Sequence, residues 1–335
     1  MSPKKPPAGN HYGAVRINGE DLFAKSVPIE LYDQEISGYH FISKYFPAPR
    51  LVGGFTLGNV GIILYCYEKS IKKNSGLLVD LFAHNTALTS EFRQIVNMFR
   101  AVFLNNYKLT HPTTSKVFFE DRVETRLASY YSPSFIRMHS QKKLVINDLP
   151  VTLDLQVILN QTKKYFSTRR KYWSVPSQGD PNDLNIATKP LVFDYLAGGW
   201  VPLMAEFATL FWYNLAQGQR LSLLYNKRAF EGHPDIYKAL DSVLSAGSIL
   251  AHHPSSLRKE FLTYYIKRVI RPFVNQLPLG YPSWYEDFKF FLTVKILGVF
   301  NVSEMSQEDQ LLSLGYLGLF HSIKITDPEQ LLEYL

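Results

Sequence analysis

Two short runs of alternating apolar and polar positions open the chain, Ala14-Val15-Arg16-Ile17 and Asp21-Leu22-Phe23-Ala24-Lys25, with Asn18-Gly19 between them. An Asn-Gly pair between such runs predicts a β-hairpin, which puts Lys25 on a strand. After Pro28 the period changes. Tyr32, Ile36, Tyr39, Ile42 and Phe46 recur every three or four residues, a helical stripe that Pro47 and Pro49 end. Glu35 lies in that helix, beside the stripe. The run Val60-Gly61-Ile62-Ile63-Leu64-Tyr65-Cys66-Tyr67 is almost continuously apolar, as in strands covered on both faces. A small sheet of about four or five strands with one helix is the expected result.

Beyond Gly76 the pattern turns mostly helical. Phe92, Ile95, Val96, Phe99, Val102 and Phe103 form one stripe, and further helices are predicted at about 152–167, 202–217, 235–251, 256–275 and 282–299. The expected fold class is α+β and two-lobed: residues 1–68 form a small antiparallel sheet with a helix, and residues 69–335 form a large, mainly helical lobe. No internal repeat is present, and the only low-complexity stretch is the lysine- and proline-rich start.

Composition narrows the class. With 46% hydrophobic residues in 335, the chain can bury a large core, and 23 Phe and 21 Tyr make that core aromatic, with tyrosine hydroxyls that need partners. The single cysteine, Cys66, cannot close an intrachain disulfide, and Met1 to Gly9 lack the apolar stretch of a secretion signal, so the cytoplasm is the expected compartment. Asp194 and Glu206 interrupt the longest apolar region, Leu191 to Leu215, which therefore reads as buried protein and not as a membrane span. The net charge of +7 suggests anionic partners. Its basic residues come in short groups such as Lys142-Lys143 and Arg169-Arg170-Lys171 without a nucleic-acid motif, so a solvated basic surface is the simpler reading. No CxxC or HExxH occurs, and His252-His253 are adjacent and cannot face one ion from a helix or strand.

The stretch that carries chemistry is Gln178-Gly179-Asp180-Pro181-Asn182-Asp183-Leu184-Asn185-Ile186, followed by Pro190-Leu191-Val192-Phe193-Asp194-Tyr195. A polar loop leads into an apolar strand that ends in an acid. Phosphoryl transfer needs a carboxylate to orient and accept the proton of an attacking hydroxyl, and oxygen ligands that hold Mg²⁺ against the phosphates. One loop-strand unit can supply both.

This unit resembles the catalytic region of the aminoglycoside phosphotransferases and their protein-kinase-like relatives, which commonly read His-Gly-Asp-x-x-x-x-Asn and then an Asp after apolar residues. The resemblance implies Asp180 as catalytic base and Asn185 and Asp194 as metal ligands, with ATP or GTP and Mg²⁺ as cofactors. Gln178 stands where His is usual, another hydrogen-bonding residue able to prop the loop. Glu206, at the start of the following helix, matches an acid that braces the catalytic loop. Lys25 resembles the strand lysine that holds the α- and β-phosphates, and Glu35 its helix partner. By position the base stacks against the connection Tyr65-Cys66-Tyr67-Glu68, with Tyr67 as a contact, while Gly9-Asn10-His11-Tyr12-Gly13 offers Gly9 and Gly13 for a phosphate loop preceded by too few residues for a full first strand. Asp183 reads as a solvated loop residue.

The implied partners are a nucleotide and a hydroxyl-bearing acceptor. The helices after Phe207 carry Arg220, Lys227, Arg228, Lys238, Arg258, Lys259, Lys267 and Arg268, which disfavours a polycationic acceptor and fits a neutral or anionic small molecule, or Ser/Thr of a biosynthetic peptide. The alternative is a catalytically weak pseudokinase, a binding module regulated by nucleotide. The sequence leaves the acceptor, the choice of nucleotide and the oligomeric state open.

Overall fold

The computed structural model describes residues 11–68, 76–111, 122–168, 170–277 and 280–335. Strands β1 (His11–Ile17), β2 (Glu20–Pro28), β3 (Leu51–Leu57) and β4 (Val60–Cys66) pair antiparallel in the order β1-β2-β4-β3. Asn18 and Gly19 take φ of 50° and 83°, so the first hairpin turns where the Asn-Gly pair predicts. Lys25 faces Ile63 of β4 across the ladder, and both are buried.

Helix α1 (Ile29–Ile42) buries Glu35, Gly38, Tyr39 and Ile42, a stripe of helical spacing turned toward the sheet and the large lobe. It stops one turn before the predicted Phe46. The amide groups of Tyr45 and Phe46 both bond back to the Ile42 carbonyl, and this turn carries Phe46 into the core ahead of Pro47.

The large lobe is built on the helices Ser90–Asn105, Leu155–Ser167, Leu203–Trp212, Ser256–Tyr265, Trp284–Val299 and Gln307–Ser322. Leu203–Trp212 continues through π-type turns to Leu221, with every residue from 203 to 221 buried. It packs on Trp284–Val299, where Phe207 and Phe211 meet Phe288 at ring distances of 4.9 and 5.4 Å. Among the described residues no helix is long and apolar enough to cross a membrane. The molecule thus has the two-lobed α+β architecture of a protein-kinase-like fold.

Two expectations are corrected. Residues 235–251 are not a helix but the 3-10 segment Pro234–Ala239 and a hairpin of Leu244–Ala246 with Ile249–Ala251. Gly247 at φ 61° makes that turn, and only Leu250 of Ile249–Ala251 is buried, the period-two burial of a strand. The hairpin joins Lys142–Ile146 and Leu149–Leu153 in one sheet, and these two strands turn at Asn147-Asp148 with φ of 46° and 66°. The expected strand before Asp194 is likewise only an isolated bridge between Ile186 and Val192.

Candidate active site

Strands Tyr172–Ser177 and Gly199–Pro202 pair antiparallel, with Ser177 opposite Gly199. Residues 178–198 are therefore one long excursion whose ends the sheet brings back together. Gly179 at φ 85° starts it, because a side chain there would press on the Ala197 methyl at 2.8 Å. Gln178, buried, accepts the Asp180 N–H at 3.0 Å, the propping role its position suggests. On the far side the N-terminal end of Leu78–His84 docks on the excursion: the amides of Leu78 and Val79 bond to the carbonyls of Ile186 and Asp183 at 2.8 and 3.1 Å.

Asp183 is not solvated. It is buried and ion-paired with Arg258, whose guanidinium also donates to Asn214 at 2.9 Å and lies 3.9 Å from the Phe82 ring centre. Burial pushes the Asp183 carboxyl up and Arg258 pulls it down. The loop is thereby pinned to the helical body through this ion pair.

Lys25 Nζ lies 2.7 Å from Glu35 Oε1 and 2.7 Å from Asp194 Oδ1, tying strand, helix and excursion together. Burial works against the lysine charge, but the carboxylates of Asp194 and Glu35 outweigh it and raise the pKa above the ordinary lysine value. Glu35 Oε1 also accepts the Tyr195 N–H at 3.3 Å. Asp194 itself sits at φ 61°, a left-handed conformation that Asp tolerates better than most residues, and keeps its side chain 40% exposed. Helix α1 reaches this turn because Gly38 has no side chain: a Cβ would collide with the Tyr195 carbonyl, and a Cβ on Gly198 would lie 3.0 Å from Gly38 Cα.

Asp180 has both carboxylate oxygens engaged. Asn182 Nδ2 donates to Oδ2 at 3.0 Å and Lys295 Nζ to Oδ1 at 3.1 Å. Lys295 comes from the helix Trp284–Val299 and is 3% exposed. Burial lowers its pKa, and Asp180 offsets part of that fall. Glu206 is fully buried nearby, and burial raises its carboxyl to about 8 while the Ser177 hydroxyl and Lys295 pull the other way. Neither Glu206 oxygen closes a hydrogen bond within the described structure. At neutral pH Glu206 is thus a neutral acid behind the loop, so it adds no second negative charge beside Asp180.

Lys25, Glu35, Tyr67, Asn185 and Asp194 line one cavity of about 450 Å³. Asn182, Asn226 and His233 also face it, none of them singled out from the sequence. Asp180 stands outside this lining. Gly13 is a ladder residue of β1 opposite Ala24, not part of a loop, and Gly9 falls outside the described residues. The Tyr67 N–H is bonded to the Asp21 carbonyl at 3.3 Å. Arg220 and Arg258, expected around the acceptor, are instead spent on buried ion pairs with Asp309 and Asp183.

The donor set suits magnesium. The Asn185 amide nitrogen is committed to the Asp180 backbone carbonyl at 3.0 Å, which leaves the amide oxygen as its ligand atom, and the exposed Asp194 has a second carboxylate oxygen beyond the one on Lys25. Hard oxygens from one or two side chains, completed by phosphate and water, are what Mg²⁺ takes.

Lys295 was legible in principle. It is the one charged residue in Phe290-Phe291-Leu292-Thr293-Val294-Lys295-Ile296-Leu297-Gly298-Val299, and a lone charge in an apolar helix needs a buried partner.

No protein-family model and no curated sequence matches the chain. Its fold does match solved structures. The chain aligns over 95% of its length and 91% of the other with the aminoglycoside phosphotransferase APH(4)-Ia, at TM-score 0.55 and 10% identity. A thermostable mutant of that enzyme in its apo form gives 0.52 at 9% identity, over 96% and 92% of the two chains. A further thermostable mutant, in a ternary complex with AMP-PNP and hygromycin B, gives 0.52 at 10% identity over the same shares. The chain has the fold of these phosphotransferases.

Proposed function

We propose that this chain is an ATP- and Mg²⁺-dependent phosphotransferase acting on a hydroxyl of a neutral or anionic acceptor, either a small molecule or Ser/Thr of a peptide. The observation that carries the reading is Lys25 held between Glu35 and Asp194 at one cavity with Asn185, while Asp180 stands just beyond it. The nucleotide occupies the cavity at the boundary of the lobes 1–68 and 69–335. Lys25 engages the phosphates, and Asn185 and Asp194 hold the magnesium ion, which when bound offsets phosphate charge. Asp180 accepts the proton of the acceptor hydroxyl as the new O–P bond forms. The bond from the γ-phosphorus to the bridging oxygen breaks, and the diphosphate leaves with its electron pair.

The acceptor class follows from the charges around the base. Lys295 is on Asp180, and Arg122, lowered to about 10 chiefly by burial, feels the same carboxylate. A polyamine brought to this base meets cations already in place, so it is disfavoured. One cysteine and no disulfide suit a reducing, cytoplasmic compartment.

Asp180→Asn tests the reading. General-base contributions are typically about 10² to 10⁴-fold, so turnover falls by about that factor while the ATP Kd, measured calorimetrically on the same variant with Mg²⁺, changes little. Near-normal turnover rejects Asp180 as base, and loss of nucleotide affinity moves it to the metal. Wild-type protein that binds Mg-ATP but transfers phosphate to no acceptor, water included, is instead a nucleotide-regulated binding module.

A further inference from the structure

The base and its buried lysine come from distant parts of the sequence of the large lobe. Asp180 belongs to the excursion after Tyr172–Ser177, and Lys295 to a helix more than a hundred residues later. The lysine side chain is 4% exposed and that of Asp180 is 28% exposed, so Lys295 approaches the carboxylate from beneath and leaves the outer side open. Asn182 takes the other oxygen from within the loop. Two donors on two oxygens fix both the rotamer and the plane of the carboxylate.

The lysine has no comparable partner elsewhere. Among the described residues its one ion pair is with Asp180, and the nearest other acid, Glu206, is held neutral by burial at neutral pH. The helix carrying it is packed by Phe288, Phe290 and Phe291 against neighbouring rings, which prevents the ammonium from drifting. A buried charge held by one carboxylate on a rigid helix is costly to keep. A stability role alone would be met as well by an apolar residue at this point of an apolar helix.

We propose that Lys295 is the positioning residue of the catalytic base, clamping the Asp180 carboxylate so that its solvent-facing lone pairs meet the acceptor hydroxyl. The inference rests on the phosphotransferase reading above. Near-attack geometry of a base is worth orders of magnitude, so a base free to rotate loses rate without any loss of nucleotide binding. Lys295 does not line the nucleotide cavity, which separates the two effects.

The test is a double-mutant cycle on the full chain, using Mg-ATP with water as acceptor and radiolabelled γ-phosphate as the readout. Lys295→Met is expected to lower single-turnover hydrolysis about 10- to 100-fold, with the ATP Kd unchanged within about twofold. In the Asp180→Asn background the same change has no further effect, because there is no base left to position. Lys295→Arg, which keeps a cation on a longer arm, recovers part of the rate and serves alone if the Met variant does not fold. Full activity in Lys295→Met, or losses that multiply with Asp180→Asn, overturn the proposal. Wild type that hydrolyses nothing while binding Mg-ATP overturns base and positioning residue together. Intact hydrolysis with an indifferent Lys295 overturns only this inference.

Discussion

At the scale of single residues, conformation and charge decide what a substitution tests. Asp194 occupies a left-handed backbone position, so an alanine there adds strain to the loss of the carboxylate. Asn tolerates the same φ. Asp194→Asn is therefore expected to weaken Mg²⁺-dependent ATP binding at least about tenfold without adding backbone strain, and calorimetry with and without Mg²⁺ checks it. Glu206 gives a pH signature. Its pKa is near 4.5 in the unfolded chain and about 8 in the fold, so the native state holds an extra proton between those values. Stability then falls as pH rises through that window and levels off above about 8, by at most about 5 kcal/mol. Glu206→Gln stays neutral throughout, and denaturant titrations from acid to mildly alkaline pH should show the wild-type slope vanish in this variant. The strand setting of Lys25 and the helix setting of Glu35 were legible because each rests on a local period, while the roles given to them and to Asn185 and Asp194 came from the family resemblance of the loop. The lone charge of Lys295 in an apolar helix was visible, but its partner was not, since the contact with Asp180 spans 115 positions. Asp183 misled for the same reason: its partner Arg258 lies 75 positions away.

At the scale of elements, close approach of backbones does what side chains cannot. Helix α1 holds Glu35 in place only because Gly38, one turn on, lets the helix lie against the Tyr195 carbonyl. Gly38→Ala is expected to cost about 1 to 3 kcal/mol through overpacking and to loosen the Lys25–Glu35 pair. A lowered denaturation midpoint together with weaker ATP binding is the outcome to look for; an unchanged midpoint would mean that the helix can shift freely. The first hairpin and most long helices were readable because one period ran uninterrupted through each. Residues 235–251 were not, since alanines and leucines at mixed spacing satisfy a helix template while Gly247 enforces a turn. Asn147-Asp148 carried the turn chemistry of a two-residue hairpin, but the flanking Lys-Lys-Leu-Val-Ile and Leu-Pro-Val-Thr-Leu runs are too short to stand out beside helical neighbours.

At the scale of the molecule, the small sheet is fastened to the large lobe through the site itself. Besides Lys25–Asp194, Gln34 Nε2 donates to the Leu196 carbonyl at 2.8 Å, so α1 is bolted to the turn that follows the metal-ligand candidate. A ligand seated at this junction stabilises both lobes together. Mg-ATP at a hundred times its Kd should add about 2.7 kcal/mol to unfolding and raise the melting temperature by a few degrees, an increment cut to about 1.4 kcal/mol or less in Asp194→Asn under the same concentrations. The seam also dictates the order in which the molecule can be made. Lys25 has Glu35 ten positions away but waits 169 positions for Asp194, and Asp180 waits a further 115 for Lys295, so in a nascent chain emerging from its N-terminus the Asp180 carboxylate lacks its lysine until the helix Trp284–Val299 has docked. Loop closure over such spans is slow relative to helix formation, which makes assembly of the centre a late event in folding. On the proposed function, onset of turnover during refolding would then lag behind the recovery of helical signal.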